Sequence, residues 1–157
     1  MKKALLIGFS MLLVFLFCAC GGNLRQADVD LKKFYDKLKT QFDIPDQEAV
    51  KKEDIEALFP GMEKIKLKQS VLMVAKDRDF SNEILMVEAE NEEDSAKIAE
   101  IFEAHRDSLQ DKWSTGFADQ LKLVNDAVFK ANGKYAILAI DPSSDRIGEE
   151  FDKLFKK

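Results

Sequence analysis

Hydrophobic and polar positions follow three different patterns along this chain. Lys2 and Lys3 precede an almost unbroken apolar run, Ala4 to Phe17, which gives way to Cys18-Ala19-Cys20-Gly21-Gly22. From Leu31 onward the apolar positions recur at three, four and seven (Leu31, Phe34, Tyr35, Leu38, Phe42), the stripe of an amphipathic helix. Asp43-Ile44-Pro45 ends it, because proline disfavours the helical region for the residue before it. A second helix is expected after Asp46, its cap, with Val50, Ile55, Leu58 and Phe59 turned inward and Pro60-Gly61 as the stop. The pair reads as two helices packed on a sheet; a partner-binding helical hairpin is the alternative.

Between Ile65 and Lys76 the period changes to two. Ile65 and Leu67 alternate with Lys66 and Lys68, and Val71 to Val74 continue as a strand. Asp77 to Asn82 is a polar loop, and Ile84 to Glu90 returns as a second strand with Leu85, Val87 and Ala89 opposite Met86, Glu88 and Glu90. Asn91 with Asp94 then opens a long helix whose inner face carries Ile98, Phe102, His105, Leu109 and Trp113; Thr115-Gly116 closes it. After a short segment around Phe117 to Leu121, a third strand is expected over Val124 to Ala131. Asn132-Gly133 is a hairpin turn signal, and Tyr135 to Ile140 forms the fourth strand. With those two residues as the turn, Phe129 would face Ala136 and Val128 would face Ile137. A final helix follows Asp141-Pro142-Ser143-Ser144, carrying Ile147, Phe151, Leu154 and Phe155. The expected fold is α+β, a four-stranded antiparallel sheet of two hairpins with helices packed on it, in the order ααββαββα. The order of strands within the sheet stays open.

The opening run has the positive and apolar regions of a secretory signal peptide and is shorter than the ~20 apolar residues that span a bilayer as a helix. A cut before Cys20 leaves Ala19 at minus-one and Phe17 at minus-three, with Gly21 and Gly22 following. That ending resembles a bacterial lipobox, in which the cysteine takes a lipid and becomes the new N-terminus. Phe17 departs from the leucine usual there. Cys18 is a poor acceptor, since Phe17 would then occupy a position that needs a small residue. An uncleaved N-terminal anchor is the alternative. Two acyl chains on Cys20, at ~0.8 kcal/mol per buried methylene, supply the number needed for stable attachment. The expected organisation is a lipoprotein signal peptide over 1–19, a lipidated N-terminus and short linker over 20–28, and one α+β domain over 29–157. The expected location is the outer face of the cytoplasmic membrane, lipid-anchored in the cell envelope.

Composition narrows the partners. The 157 residues carry 24 basic and 29 acidic side chains, a net charge of −5, and loss of residues 1–19 removes Lys2 and Lys3 and makes the chain more acidic still. With no basic stripe, nucleic acid is not expected as a partner, and adsorption to anionic lipid is opposed. Membrane attachment therefore falls to Cys20. Both cysteines lie in the leader region, so the rest of the chain holds no disulfide and no thiolate metal site.

The candidate chemistry is sparse. His105, the single histidine, lies on the apolar side of its helix, with Glu103, Arg106 and Ser108 as the partners within a helical turn, and reads as a partly buried helix residue. No nucleophile elbow, Walker loop or dinucleotide fingerprint is present. The acidic stretch Glu88 to Asp94 lacks the ligand spacing of a calcium loop and reads as a strand end and helix N-terminus. Arg106, Gln110 and Trp113 share one helix flank, where Trp could stack and Arg could pair with a peptide or glycan; a helix shoulder with Trp packed and Arg wet is the alternative. No catalytic residue, metal or cofactor is assigned. The sequence reads as a non-catalytic binding or accessory module of the cell envelope, partnered by the membrane and by an envelope protein or peptide. The rival is an envelope hydrolase using strand-end carboxylates such as Asp77, Asp79 or Asp141.

The run AVFKANGKYAILAIDPSSDRIGEEFDKLF (127–155), together with LMVAKD (72–77), EILMVEAE (83–90) and the helix bearing Arg106, Gln110 and Trp113, resembles the family called domain of unknown function forty-three fifty-eight. The resemblance covers roughly residues 29–155. It implies a strand, glycine turn, strand and closing helix at the C-terminus, and a lipoprotein leader of the kind common among Gram-positive members. It brings no activity, substrate or catalytic residue.

Overall fold

The computed structural model describes residues 28–156. Its first helix, α1 (Leu31–Gln41), starts where Asp30 accepts a hydrogen bond from the Lys33 amide at 2.9 Å, and it buries the expected stripe of Leu31, Phe34, Tyr35 and Leu38. The second expected helix is a correction. The chain after Asp46 enters a short strand, β1 (Gln47–Ala49), then a 3-10 turn at Lys52–Asp54 and a single helical turn, α2 (Ile55–Leu58). The reason lies in β2 (Leu67–Ala75), whose open edge binds this segment antiparallel from Gln47↔Ala75 to Ala49↔Met73. Further bonds run from the Val50 amide to the Leu72 carbonyl at 2.8 Å and from the Lys76 amide to the Asp46 carbonyl at 3.1 Å. Pairing with a long strand outweighs the local helical periodicity. The inward residues Ile55, Leu58 and Phe59 still reach the core.

The sheet therefore has five strands rather than four, all antiparallel, in the order β1-β2-β3-β5-β4, with β3 at Glu83–Ala89, β4 at Val128–Asn132 and β5 at Tyr135–Ile140. The two expected hairpins, β2-β3 and β4-β5, meet through β3 and β5. Between them run α3 (Glu93–Trp113) and α4 (Ala118–Asn125); the chain closes with α5 (Ser144–Lys153). The helix α4 takes the segment around Phe117 to Leu121 and the first residues of the expected third strand, with Val124 buried against α3's face of the sheet.

Both faces of the sheet are covered. Leu72, Val74, Leu85, Val87, Ala136, Leu138 and Ile140 pack with Phe59, Ile98, Phe102, Leu109 and Trp113 on one face. Val71, Ile84, Met86, Ile137 and Ala139 pack with Leu31, Phe34, Leu38, Ile147 and Phe151 on the other. Double coverage explains why β3 and β5 are buried along their whole length. In β2 the pairing slips between Leu67↔Ala89 and Gln69↔Glu88, so Lys68 is a bulge. One extra residue reverses the alternation beyond it. Leu67 is thereby turned to the same face as Leu72, while Gln69 shares a face with Glu88.

The β4-β5 hairpin pairs Asn132 with Tyr135 and Phe129 with Leu138, so the turn is Gly133-Lys134, one residue later than expected. Gly133 has φ 55° and no non-glycine residue among those described has positive φ, the pattern of a II′ turn with glycine first. The pairing shifts by two, and a shift of two leaves every side chain on its predicted face.

Candidate functional site

Most of the polar residues buried in this fold gather where β3 begins and β5 ends, since Glu83 pairs with Ile140. Ser81, Asn82, Glu83, Asp141 and Ser144 are all buried there, and α3 brings His105 onto the same end. His105 is 5% exposed and Glu83 7%, and His105 Nε2 lies 2.6 Å from Glu83 Oε2. The other ring nitrogen, Nδ1, lies 3.2 Å from the Leu58 carbonyl oxygen. A carbonyl only accepts, so Nδ1 carries a proton and donates it. The contact between Nε2 and Glu83 then needs one more proton, shared as imidazolium with carboxylate or as imidazole with carboxylic acid. The dyad is neutral overall either way. Phe59 packs on the imidazole with ring centroids 4.6 Å apart. His105 thus joins α3 to β3 and to the end of α2, with both nitrogens committed inside the chain.

Asp141, at the end of β5, accepts from the Ser143 amide at 2.8 Å and from Asn82 Nδ2 at 3.3 Å, while the Ser144 hydroxyl, with its single proton, lies within donating distance of the carbonyl oxygens of Ala139 and Asp141. Burial pushes the Asp141 carboxyl above its usual range, against the smaller pull of the two donors. Asp141 also lines a groove of about 330 Å³ with Asp126 and Asp145. Asp77 and Asp79 are exposed in the β2-β3 loop; Asp77 lines a different groove, of about 370 Å³, with Pro45 and Phe80. The three carboxylates of the hydrolase reading therefore do not line one pocket.

At the opposite end of the sheet another buried carboxylate, Glu88, accepts from Gln69 Nε2 at 2.7 Å and Lys134 Nζ at 3.1 Å. Burial alone would raise its pKa, but the bonds from Gln69, Lys134 and Tyr135 outweigh it and hold the group below its usual value. Gln69 is the hinge of this cluster. Its Nε2 also donates to the Val29 carbonyl at 2.8 Å, and its Oε1 accepts from the Leu31 amide at 3.0 Å. One side chain thereby fastens the segment leading into α1 to the sheet.

The flank named from sequence divides. Trp113 is 3% exposed, its ring 5.2 Å from Phe117 and under Lys112 Nζ at 4.2 Å, so it packs rather than presents a stacking face. Gln110 Nε2 donates to Asn125 Oδ1 at 2.9 Å, tying α3 to α4. Arg106 lies apart from them in role. It lines a groove of about 150 Å³ with Phe102, Glu103 and Phe129, and its Nε is buried without a hydrogen-bond partner. Sequence reasoning missed Glu83 and Phe129. An ionisable residue opening the apolar run Ile84 to Val87, and a lone histidine on an apolar stripe, were the available signals for the dyad.

Among the described residues, no group of three or more His, Cys, Asp or Glu is placed to hold a metal ion, and no helix is long and apolar enough to cross a membrane. Cys20 lies outside the described residues. No curated protein and no solved structure matches the chain. Residues 40–141 match the family described as Domain of unknown function (DUF4358), a span that takes in all five strands, α2, α3 and α4 and leaves α5 and nearly all of α1 outside it. That match covers well over half of the sequence, and the chain belongs to the DUF4358 family.

Proposed function

We propose that this protein is a membrane-anchored extracytoplasmic lipoprotein whose folded part is a non-catalytic binding or accessory module of the cell envelope. The observation that carries the reading is the leader: Lys2-Lys3, the apolar run Ala4 to Phe17, and Ala19-Cys20-Gly21. Two acyl chains on Cys20 give stable attachment without a spanning helix. The fold is compatible with a short tether, because Gln69 fastens Val29 and Leu31 to the sheet. The stretch from Cys20 to Val29 reaches at most roughly 30 Å when fully extended. The module reading is supported by what the polar groups do. His105, Glu83 and Glu88 are spent on bonds within the chain, while two of the exposed grooves, beside Phe80 and beside Phe129, are largely apolar. Fractionation of cells carrying Cys20→Ala tests the anchor: the variant should leave the membrane on detergent-free washing, and full retention would sink the reading. In-cell crosslinking with the tether intact then names the neighbour.

The rival, an envelope hydrolase, has one observation in its favour: Asp141 is held above its usual range and shares a groove with Asp126 and Asp145. It requires that a cell-wall zymogram cleared by the wild-type protein be left uncleared by Asp141→Asn. Equal clearing, or none by either, removes it.

A further inference from the structure

Two features meet beside β4. It is the last strand of the sheet, so its outer edge has no strand partner among the described residues, and such an edge offers a row of amide and carbonyl groups to an extended chain. Phe129 and Ala131 sit opposite Leu138 and Ala136, which face α3, and Phe129 reaches to 6.3 Å from the Phe102 ring while remaining 38% exposed. The groove of about 150 Å³ lies on this side, between α3 and the strand, and Arg106 lines it. Arg106 contacts Asp107 at 3.3 Å and Glu103 at 3.6 Å through Nη2 only, both of them exposed pairs. Its Nε is buried and unpartnered, closed to an incoming group, so a partner meets the guanidinium through its Nη nitrogens.

We propose that the β4 edge binds an extended segment of a partner protein by strand addition, with an acidic side chain of that segment, glutamate for reach, seated in the groove against Arg106. An added strand continues the alternation of the sheet, so a residue alongside Phe129 projects over the groove. The methylenes of a glutamate then lie against Phe102 and Phe129, and its carboxylate accepts from the Nη nitrogens of Arg106, a charge-assisted pairing. The size of the groove decides against a metabolite: small-molecule pockets run to roughly 300–1,000 Å³, whereas about 150 Å³ is room for one side chain. This gives the binding module a partner chemistry and rests on that reading, but not on the lipid at Cys20.

The test uses the full-length chain, labelled with nitrogen-15, in detergent micelles. The probe is the capped pentapeptide threonine-valine-glutamate-valine-threonine, compared with the same peptide carrying glutamine at the centre and with a version N-methylated along one edge. Saturable shifts are expected at the amides of Val128–Asn132 and of α3 near Arg106. Glutamine at the centre, and separately Arg106→Gln in the protein, should each weaken binding about tenfold, the order of one charge-assisted hydrogen bond. N-methylation should weaken it comparably. The proposal is overturned if no saturable shift appears at millimolar peptide, if the glutamine peptide binds equally well, or if the shifts lie away from β4. It is overturned also if sedimentation shows the β4 edge occupied by a second copy. If Arg106→Gln fails to fold, the two control peptides still decide. Membrane retention through Cys20 is measured independently, so failure of the peptide and failure of the anchor are separable.

Discussion

Replacing His105 by alanine leaves Glu83 buried with no counterpart for its carboxyl oxygen and leaves the Leu58 carbonyl without its donor. Removing one partner of a buried ionic or proton-sharing pair costs about 3–5 kcal/mol. The lost packing on Phe59 adds to this rather than offsetting it. Against a typical total stability of roughly 5–15 kcal/mol, that is a large fraction. With a urea slope of about 1.5 kcal/mol/M, the unfolding midpoint should fall by about 2–3 M. The assay is built in, because Trp113 is the single tryptophan and is buried, so its fluorescence reports unfolding directly. Glu83→Gln behaves differently on the same reasoning. Its amide donates to a neutral Nε2 while Nδ1 still donates to Leu58, so the loss should stay near 1 kcal/mol. The double variant His105→Leu with Glu83→Leu should be milder than the sum of its parts, since no group is left uncompensated. A midpoint unchanged by His105→Ala, or strictly additive losses in the double variant, would refute the shared-proton pairing.

Three further outcomes follow from other contacts. Lys153, Lys37 and Gln41 hold Glu150 down to about 2 from an ordinary 4.5; a depressed folded pKa gives stability that is present above the unfolded value and lost as pH falls through the folded one. Glu150→Gln should therefore flatten the acid limb of a stability–pH curve between about 4.5 and about 2, and an unaltered limb would contradict the assignment. Gln69→Ala should speed amide exchange at Leu31 well beyond any change in global unfolding, at a cost of about 1–3 kcal/mol; unchanged protection of Leu31 would show that the clasp does not hold the N-terminal segment. At Gly148, a Cβ would stand 2.8 Å from Val128 Cγ1, on a strand that cannot yield as a flexible tip would. Gly148→Ala should lower Tm despite alanine's better helix propensity, by about 1–3 kcal/mol of overpacking, and a raised Tm would mean that α5 is not pressed on β4.

Much of the fold was legible because most elements obey their local period. The stripe Leu31, Phe34, Tyr35, Leu38 and the face Ile98, Phe102, His105, Leu109, Trp113 appear in the structure as read. What was not legible was decided by distant partners. Gln47–Ala49 is a strand because β2 presents an open edge, and nothing in that short stretch alone says so. The β4-β5 turn lies one residue later than Asn132-Gly133 because a II′ turn needs glycine first, whereas Asn132-Gly133 as the turn would need positive φ at both positions. Sequence proximity supplied only Glu103, Arg106 and Ser108 around His105, while its actual partners come from positions 83 and 58. The flank of Arg106, Gln110 and Trp113 was visible as a spacing, but which of its members stays open depends on α4 and β4, which only the folded chain brings alongside.

The central claim is the lipid at Cys20, and the mass of the N-terminal peptide of the protein purified from membranes tests it most directly. The expected peptide begins at Cys20 and carries a diacylglycerol, with or without a third acyl chain on its amino group. A peptide that begins at Met1, or at any residue other than Cys20, with an unmodified thiol would contradict it.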